Sequence, residues 1–124
     1  MTEKEIFIEN LKKRTRKFAT DVILFCNSLK ECKASDVITY QLVKSATSTG
    51  ANYHAACRAR SKQEFFSKIC IVVEEADESE YWLEIINDTN LSNDKNELLK
   101  LYNEANEITK IMTKAKNTSY TNKN

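Results

Sequence analysis

The chain has 124 residues, one domain's worth, and is long enough to bury a core without disulfides or a structural metal. One Gly and no Pro leave little material for hairpins, which excludes an all-β scaffold and favours long uninterrupted helices. Lys and Arg number 19 against 18 Asp and Glu, so whole-surface attraction to nucleic acid or anionic lipid is excluded and any electrostatic role must be local.

The first helix is expected over about 3–29. Ile8, Leu11, Thr15, Phe18, Val22, Phe25 and Leu29 recur at alternating steps of three and four, the seam of a helix packed almost parallel to its neighbours. Residues 30–35 are polar, with Ser35 or Asp36 the expected N-cap of the next helix. So short a connection folds that helix back antiparallel.

The second helix, about 36–58, places Ile38, Leu42, Ser45, Thr49, Asn52 and Ala56 on one stripe. These are small side chains where a bundle normally carries Leu, and they permit close helix approach. Gly50 extends the pattern. Gly in a helix interior costs roughly 1 kcal/mol relative to Ala, so a neighbouring helix is expected to cross near it. Gln41, Ser45, Ser48 and Asn52 are expected to hydrogen-bond between helices rather than line a pore.

Ser61 and Glu64 form the S-x-x-E capping pattern that starts a third helix, about 62–87. Its core stripe is Phe65, Ile69, Val72, Ala76, Ser79, Leu83 and Ile86. At 100° per residue Ile71 and Ile85 fall roughly opposite that stripe, with Trp82 on a flank. A single bundle cannot cover a helix that is apolar on so many sides. Ile71, Glu74, Glu78, Trp82 and Ile85 are therefore expected to form a subunit interface. The fourth helix, about 94–116, steps through Leu98, Leu101, Ala105, Ile108 and Met112 after an Asp94/Glu97 cap. The bundle thus spans 1–116, and residues 117–124 are expected to form a frayed or disordered tail.

Residue chemistry argues against catalysis. His54, the single histidine, has no Glu three positions before it, so the paired E-x-x-H arrangement of di-metal bundles is not formed. Cys57 lies at i+3 from His54, a pairing read as a boundary feature and not as a nucleophile with its base. A Gly-rich phosphate loop cannot be built from one Gly. Cys26, Cys32, Cys57 and Cys70 show no C-x-x-C spacing and read as reduced thiols. Charges follow Met1 at Glu3, Lys4 and Glu5, and the longest strictly apolar run is Ile69–Val73. Neither a signal peptide nor a membrane span is expected, and a cytoplasmic location follows.

Charge is segregated along the chain. Residues 71–90 carry seven acids and no base, whereas residues 1–20 carry six bases against three acids. Arg58, Arg60 and Lys62 add a second basic cluster. Lys12, Lys13, Arg16, Lys17, Arg58, Arg60 and Lys62 are the candidate phosphate-binding residues, with Tyr53, Phe65 or Phe66 able to stack on bases only if exposed. The competing readings are solvated charge and a contact in which the basic face of one copy meets the acidic face of the next.

One resemblance carries further. Gln41-Leu42-Val43-Lys44-Ser45, Thr47-Ser48-Thr49-Gly50-Ala51-Asn52-Tyr53, Ala55 through Lys62, Glu74-Glu75-Ala76-Asp77-Glu78 and Tyr81-Trp82-Leu83 closely resemble the four-helix bundle proteins of the ribosomal RNA intervening-sequence type. The resemblance is strong over 41–86. It implies an all-α, antiparallel up-down four-helix bundle assembled as a homopentameric ring. It also implies kinship with accessory variability proteins of diversity-generating retroelements, basic barrel-shaped pentamers that engage a reverse transcriptase and nucleic acid. The expectation is a non-enzymatic homo-oligomeric binding scaffold, without cofactor or metal. Its alternative is an accessory protein that engages RNA, DNA or a reverse transcriptase through basic patches.

Overall fold

A computed structural model describes the backbone of residues 1–123 and the side chains of residues 1–120. Four helices follow in chain order: α1 Glu3–Cys26, α2 Lys33–Cys57, α3 Lys62–Asp88 and α4 Lys95–Lys123. No strand occurs among the described residues. α2 packs on both α1 and α3, and α3 packs on α4, while α1 meets α4 more sparsely. α1 and α3 are not in contact, so the antiparallel bundle is a square with α1 and α3 on one diagonal.

The expected stripes form the core. Phe18, Val22, Leu42, Ile69, Val72, Leu83, Ile86, Leu101, Ile108 and Met112 are all buried in one continuous cluster. Each such side chain contributes roughly 1.5–3 kcal/mol on leaving water. Gly50 lies against α1 as its position required: a Cβ there would stand 3.4 Å from the Thr15 carbonyl oxygen. Along the α2–α3 seam the buried hydroxyls of Ser45 and Ser79 meet at 2.9 Å. Each also bonds within its own helix, Ser45 to the Leu42 carbonyl at 3.1 Å and Ser79 to that of Glu75 at 2.9 Å. Ser45 bridges helices as expected. Asn52 does not, because its amide donates to the Ser48 carbonyl of α2 itself.

Several helix bounds need correction. α1 ends at Cys26, not near residue 29, because the chain tightens into turns in which the amides of Ser28 and Leu29 donate to Phe25 and Cys26. Leu29 is still buried, but from a turn. α2 starts three residues earlier than expected, and its cap is Cys32 rather than Ser35 or Asp36. The Cys32 sulfur accepts from the Ser35 amide at 3.4 Å, and the Ser35 hydroxyl accepts from the Cys32 amide at 3.1 Å. That is a reciprocal capping box in which a thiol stands in for the usual N-cap hydroxyl and a hydroxyl for the usual Glu or Gln at the third helical position. α3 begins at the expected cap, with Ser61 accepting from the Glu64 amide at 3.0 Å.

α3 ends in a left-handed Asn90 (φ 56°), with the Leu91 amide donating back to Ile86 and that of Asn90 to Asn87. This Schellman closure satisfies the last carbonyls of the helix. The Lys30 amide donates to the Leu91 carbonyl at 3.0 Å, so the two loops at this end are tied together. α4 continues to Lys123, where we expected helix to stop near residue 116. Neither Gly nor Pro interrupts the stretch, and Tyr120 packs its ring 5.8 Å from that of Phe66 at the start of α3. Asn124, the last residue of the expected tail, lies outside the described residues.

Candidate functional site

The diagonal placement of α1 and α3 turns the charge segregation of the sequence into geometry. On α3, Glu74, Asp77, Glu78 and Glu84 are exposed, together with Ile71 (37% exposed) and Tyr81 (54%). They occupy the side turned away from the core stripe. On α1, Lys13, Arg16 and Lys17 are exposed and fall opposite Leu11, Phe18 and Val22. Since α1 and α3 do not touch, their outer surfaces look to opposite sides of the bundle. One side is acidic and the other basic, and both carry exposed apolar side chains, Ile71 and Tyr81 on α3 and Ile23 and Leu24 on α1.

The expected interface residues divide. Ile71, Glu74 and Glu78 are exposed, but Ile85 and Trp82 are half-buried and pack on the core. Ser79 meets α2; Trp82 lies 60° round the helix from it, and Ile85 a further 60°, between Ile71 and Tyr81. Trp82 donates its indole N–H to Glu78 at 3.4 Å and packs edge-on against Tyr81 at 5.1 Å. Tyr81, the larger exposed ring, was not among the expected interface residues, although it falls opposite the core stripe, 40° beyond Ile85 on the helical wheel.

The seven candidate phosphate-binding residues occupy two places. Lys12, Lys13, Arg16 and Lys17 lie within α1, whereas Arg58, Arg60 and Lys62 surround the α2–α3 turn at the end of the bundle where α1 begins. Lys12 pairs with Glu9 at 3.3 Å and Lys17 with Asp21 at 2.7 Å. Lys13, Arg16, Arg58, Arg60 and Lys62 have no ion pair among the described residues. Tyr53 is buried, so the condition for it to stack on a base is not met; Phe65 and Phe66 are half-buried.

Arg14 belongs to neither group. Its Nε and terminal nitrogen reach the two carboxylate oxygens of Glu104 at 2.8 and 2.7 Å, and Glu107 lies 3.0 Å away. This forked contact is the principal polar tie across the sparse α1–α4 seam, and the Glu104 hydrogen bond is the main reason the guanidinium pKa is raised.

Glu80 sits between α3 and α4. Burial pushes its carboxyl pKa up, and the nearby Asn106 and Thr109 offset only part of that. Its Oε1 is buried without a well-formed hydrogen bond. A raised folded-state pKa means that the protonated acid stabilises the fold at low pH and that this contribution is lost as pH rises through the raised value. Glu80→Gln is expected to gain about 1 kcal/mol at neutral pH. The gain should vanish below about pH 4, where the wild-type acid is itself neutral. Urea midpoints at the two pH values test this.

His54 is exposed on α2. The half-buried Cys57 thiol lies beside the Tyr53 phenol, and burial raises the pKa of both. All four cysteines are free. Burial lifts the Cys26 thiol to about 11, whereas the Ser35 amide lowers the pKa of the exposed Cys32. Among the described residues no three His, Cys, Asp or Glu side chains converge as metal ligands, and no helix is long and apolar enough to cross a membrane.

Fold and surface define a helical bundle whose opposite faces carry opposite charge. Residues 10–114 match the 23S rRNA-intervening sequence protein family, and the chain belongs to that family. It is also similar to a crystal structure from Bacteroides thetaiotaomicron, described as a protein with unknown function from the S23 ribosomal protein family. The two share 30% identity over 86% of this chain and 97% of that one, with a TM-score of 0.76. No curated protein matches the sequence at a significant level.

Proposed function

We propose that this protein is a non-enzymatic scaffold that assembles head to tail, the basic outer face of α1 in one copy meeting the acidic, apolar outer face of α3 in the next. The observation that carries the reading is the placement of Ile71 and Tyr81, exposed among Glu74, Asp77 and Glu78, on the side of the bundle opposite Lys13 and Arg16. Apolar contact supplies the driving force for association, and the charges set register and orientation. Two different faces make a heterologous contact, which closes into a ring when the rotation between copies permits. Five copies is the number suggested by the resemblance to ring-forming bundles.

Native mass spectrometry and light scattering at micromolar concentration are expected to show a closed oligomer that loosens as salt screens the facing charges. Ile71→Asp should dissociate it while helicity stays unchanged, because Ile71 contributes little to its own subunit's core. A wild-type chain that remains monomeric at these concentrations would overturn the proposal.

A second reading rests on five of the seven candidate cations, which have no ion pair among the described residues. Lys13, Arg16, Arg58, Arg60 and Lys62 are free to meet phosphates, and such binding would fall steeply between low and physiological salt. Gel shifts with single-stranded and duplex RNA and DNA test it. Absence of binding at low salt removes this reading without touching the first.

A further inference from the structure

Below the Arg14 clamp an open cavity of about 800 Å³ lies at the end of the bundle that holds the α2–α3 turn. Its walls are apolar: Phe7, Ile8 and Leu11 from α1, Ala56 from α2, Phe65 from α3, and Ile111 from α4. Ala115 and Ala59 keep it wide. Tyr53, Cys57, Thr118 and Ser119 add polar groups, three lysines, Lys4, Lys12 and Lys114, complete the lining, and no Asp or Glu is part of it. Glu9 lies beside the cavity and pairs with Lys12. Lys4 and Lys114 have no ion pair among the described residues. Phe7 is 57% exposed here although it faces a wall of other apolar side chains.

We infer that this cavity binds an amphipathic anion, an unbranched aliphatic chain ending in a carboxylate. The volume falls within the roughly 300–1,000 Å³ of small-molecule sites. An apolar wall selects a hydrocarbon body, and two ammonium groups without protein partners select a negative end. A small hydrophilic anion would leave the wall wet. A neutral hydrocarbon would leave the lysines unused. This site is separate from the faces of α1 and α3 assigned to assembly, so it stands or falls independently of that reading.

The test is calorimetric titration of the full chain, in its native assembly, with decanoate, decanol and acetate. Decanoate is expected to bind saturably, one per chain, on the order of 100 µM or tighter for a ligand of this size. Acetate should not bind, and decanol should bind about tenfold more weakly for want of the charge-assisted contact. The double variant Lys4→Gln/Lys114→Gln alters exposed side chains only. It should weaken decanoate about tenfold and leave decanol unchanged. Ala115→Phe should fill the cavity and abolish both, with circular dichroism confirming that the bundle is intact.

Absence of saturable decanoate binding would overturn the inference, as would equal affinity for acid and alcohol, or full binding by a folded Ala115→Phe. If decanoate does not bind and Ala115→Phe instead dissociates the oligomer, the groove is a contact between copies and the inference falls.

Discussion

Phe18→Ala is expected to lower stability by about 3–5 kcal/mol, the range for truncating a fully buried phenylalanine. Phe18 is 2% exposed, at the point where α1 joins the common core. On the α4 side its ring also closes a shallow groove lined by Lys17, Asp21, Leu99 and Glu104. Because α1 meets α4 sparsely, little else can collapse into the space, and the loss should fall near the top of that range. A domain of this size has only about 5–15 kcal/mol in all. The melting temperature should drop by about 10 °C or more. Amide exchange should rise first along α1, while α3, packed on both neighbours, stays protected. A loss under about 1 kcal/mol would mean that α1 is not part of one cooperative core.

Gly50→Leu is expected to cost about 2–3 kcal/mol, and Gly50→Ala to stabilise by roughly 0.5 kcal/mol. The opposite signs follow from one distance. At 3.4 Å from the Thr15 carbonyl oxygen a methyl group sits in ordinary contact, and alanine removes the backbone-entropy cost of glycine within a helix. Any atom beyond Cβ must displace the α1 backbone. That also strains the Thr15 hydroxyl, which donates to the Lys12 carbonyl at 3.1 Å. Denaturant midpoints for the two variants decide the matter. Comparable destabilisation by both would show that α1 cannot hold its approach against even a methyl group.

Some of the molecule could be read directly from the chain. Steps of three and four through Leu11, Phe18, Val22, through Ile69, Val72, Leu83, and through Leu98, Leu101, Ile108 placed the core, since such periodicity is a property of each helix taken singly. The caps at Ser61 and Asp94 and the close approach at Gly50 were legible for the same reason: each is local chemistry that any tertiary arrangement must accommodate. The Cys32 cap was not, because a thiol in that role has a weak compositional signal. Of the proposed binding surfaces, the charge segregation was visible as runs of like sign, but its distribution over opposite faces was not.

What the amino-acid order alone determined is which side of each helix turns inward, because burial follows from a rotation of 100° per residue. Only the packed bundle decided the fate of the flanks. Ile71 stays 37% exposed while Ile85 packs on the core, Tyr53 is buried beside Cys57, and Arg14 leaves the basic surface to hold Glu104. α4 also runs on until Tyr120 meets Phe66. Flank burial depends on how closely and at what angle a neighbouring helix approaches. That is set by the partner helix and not by the helix being read.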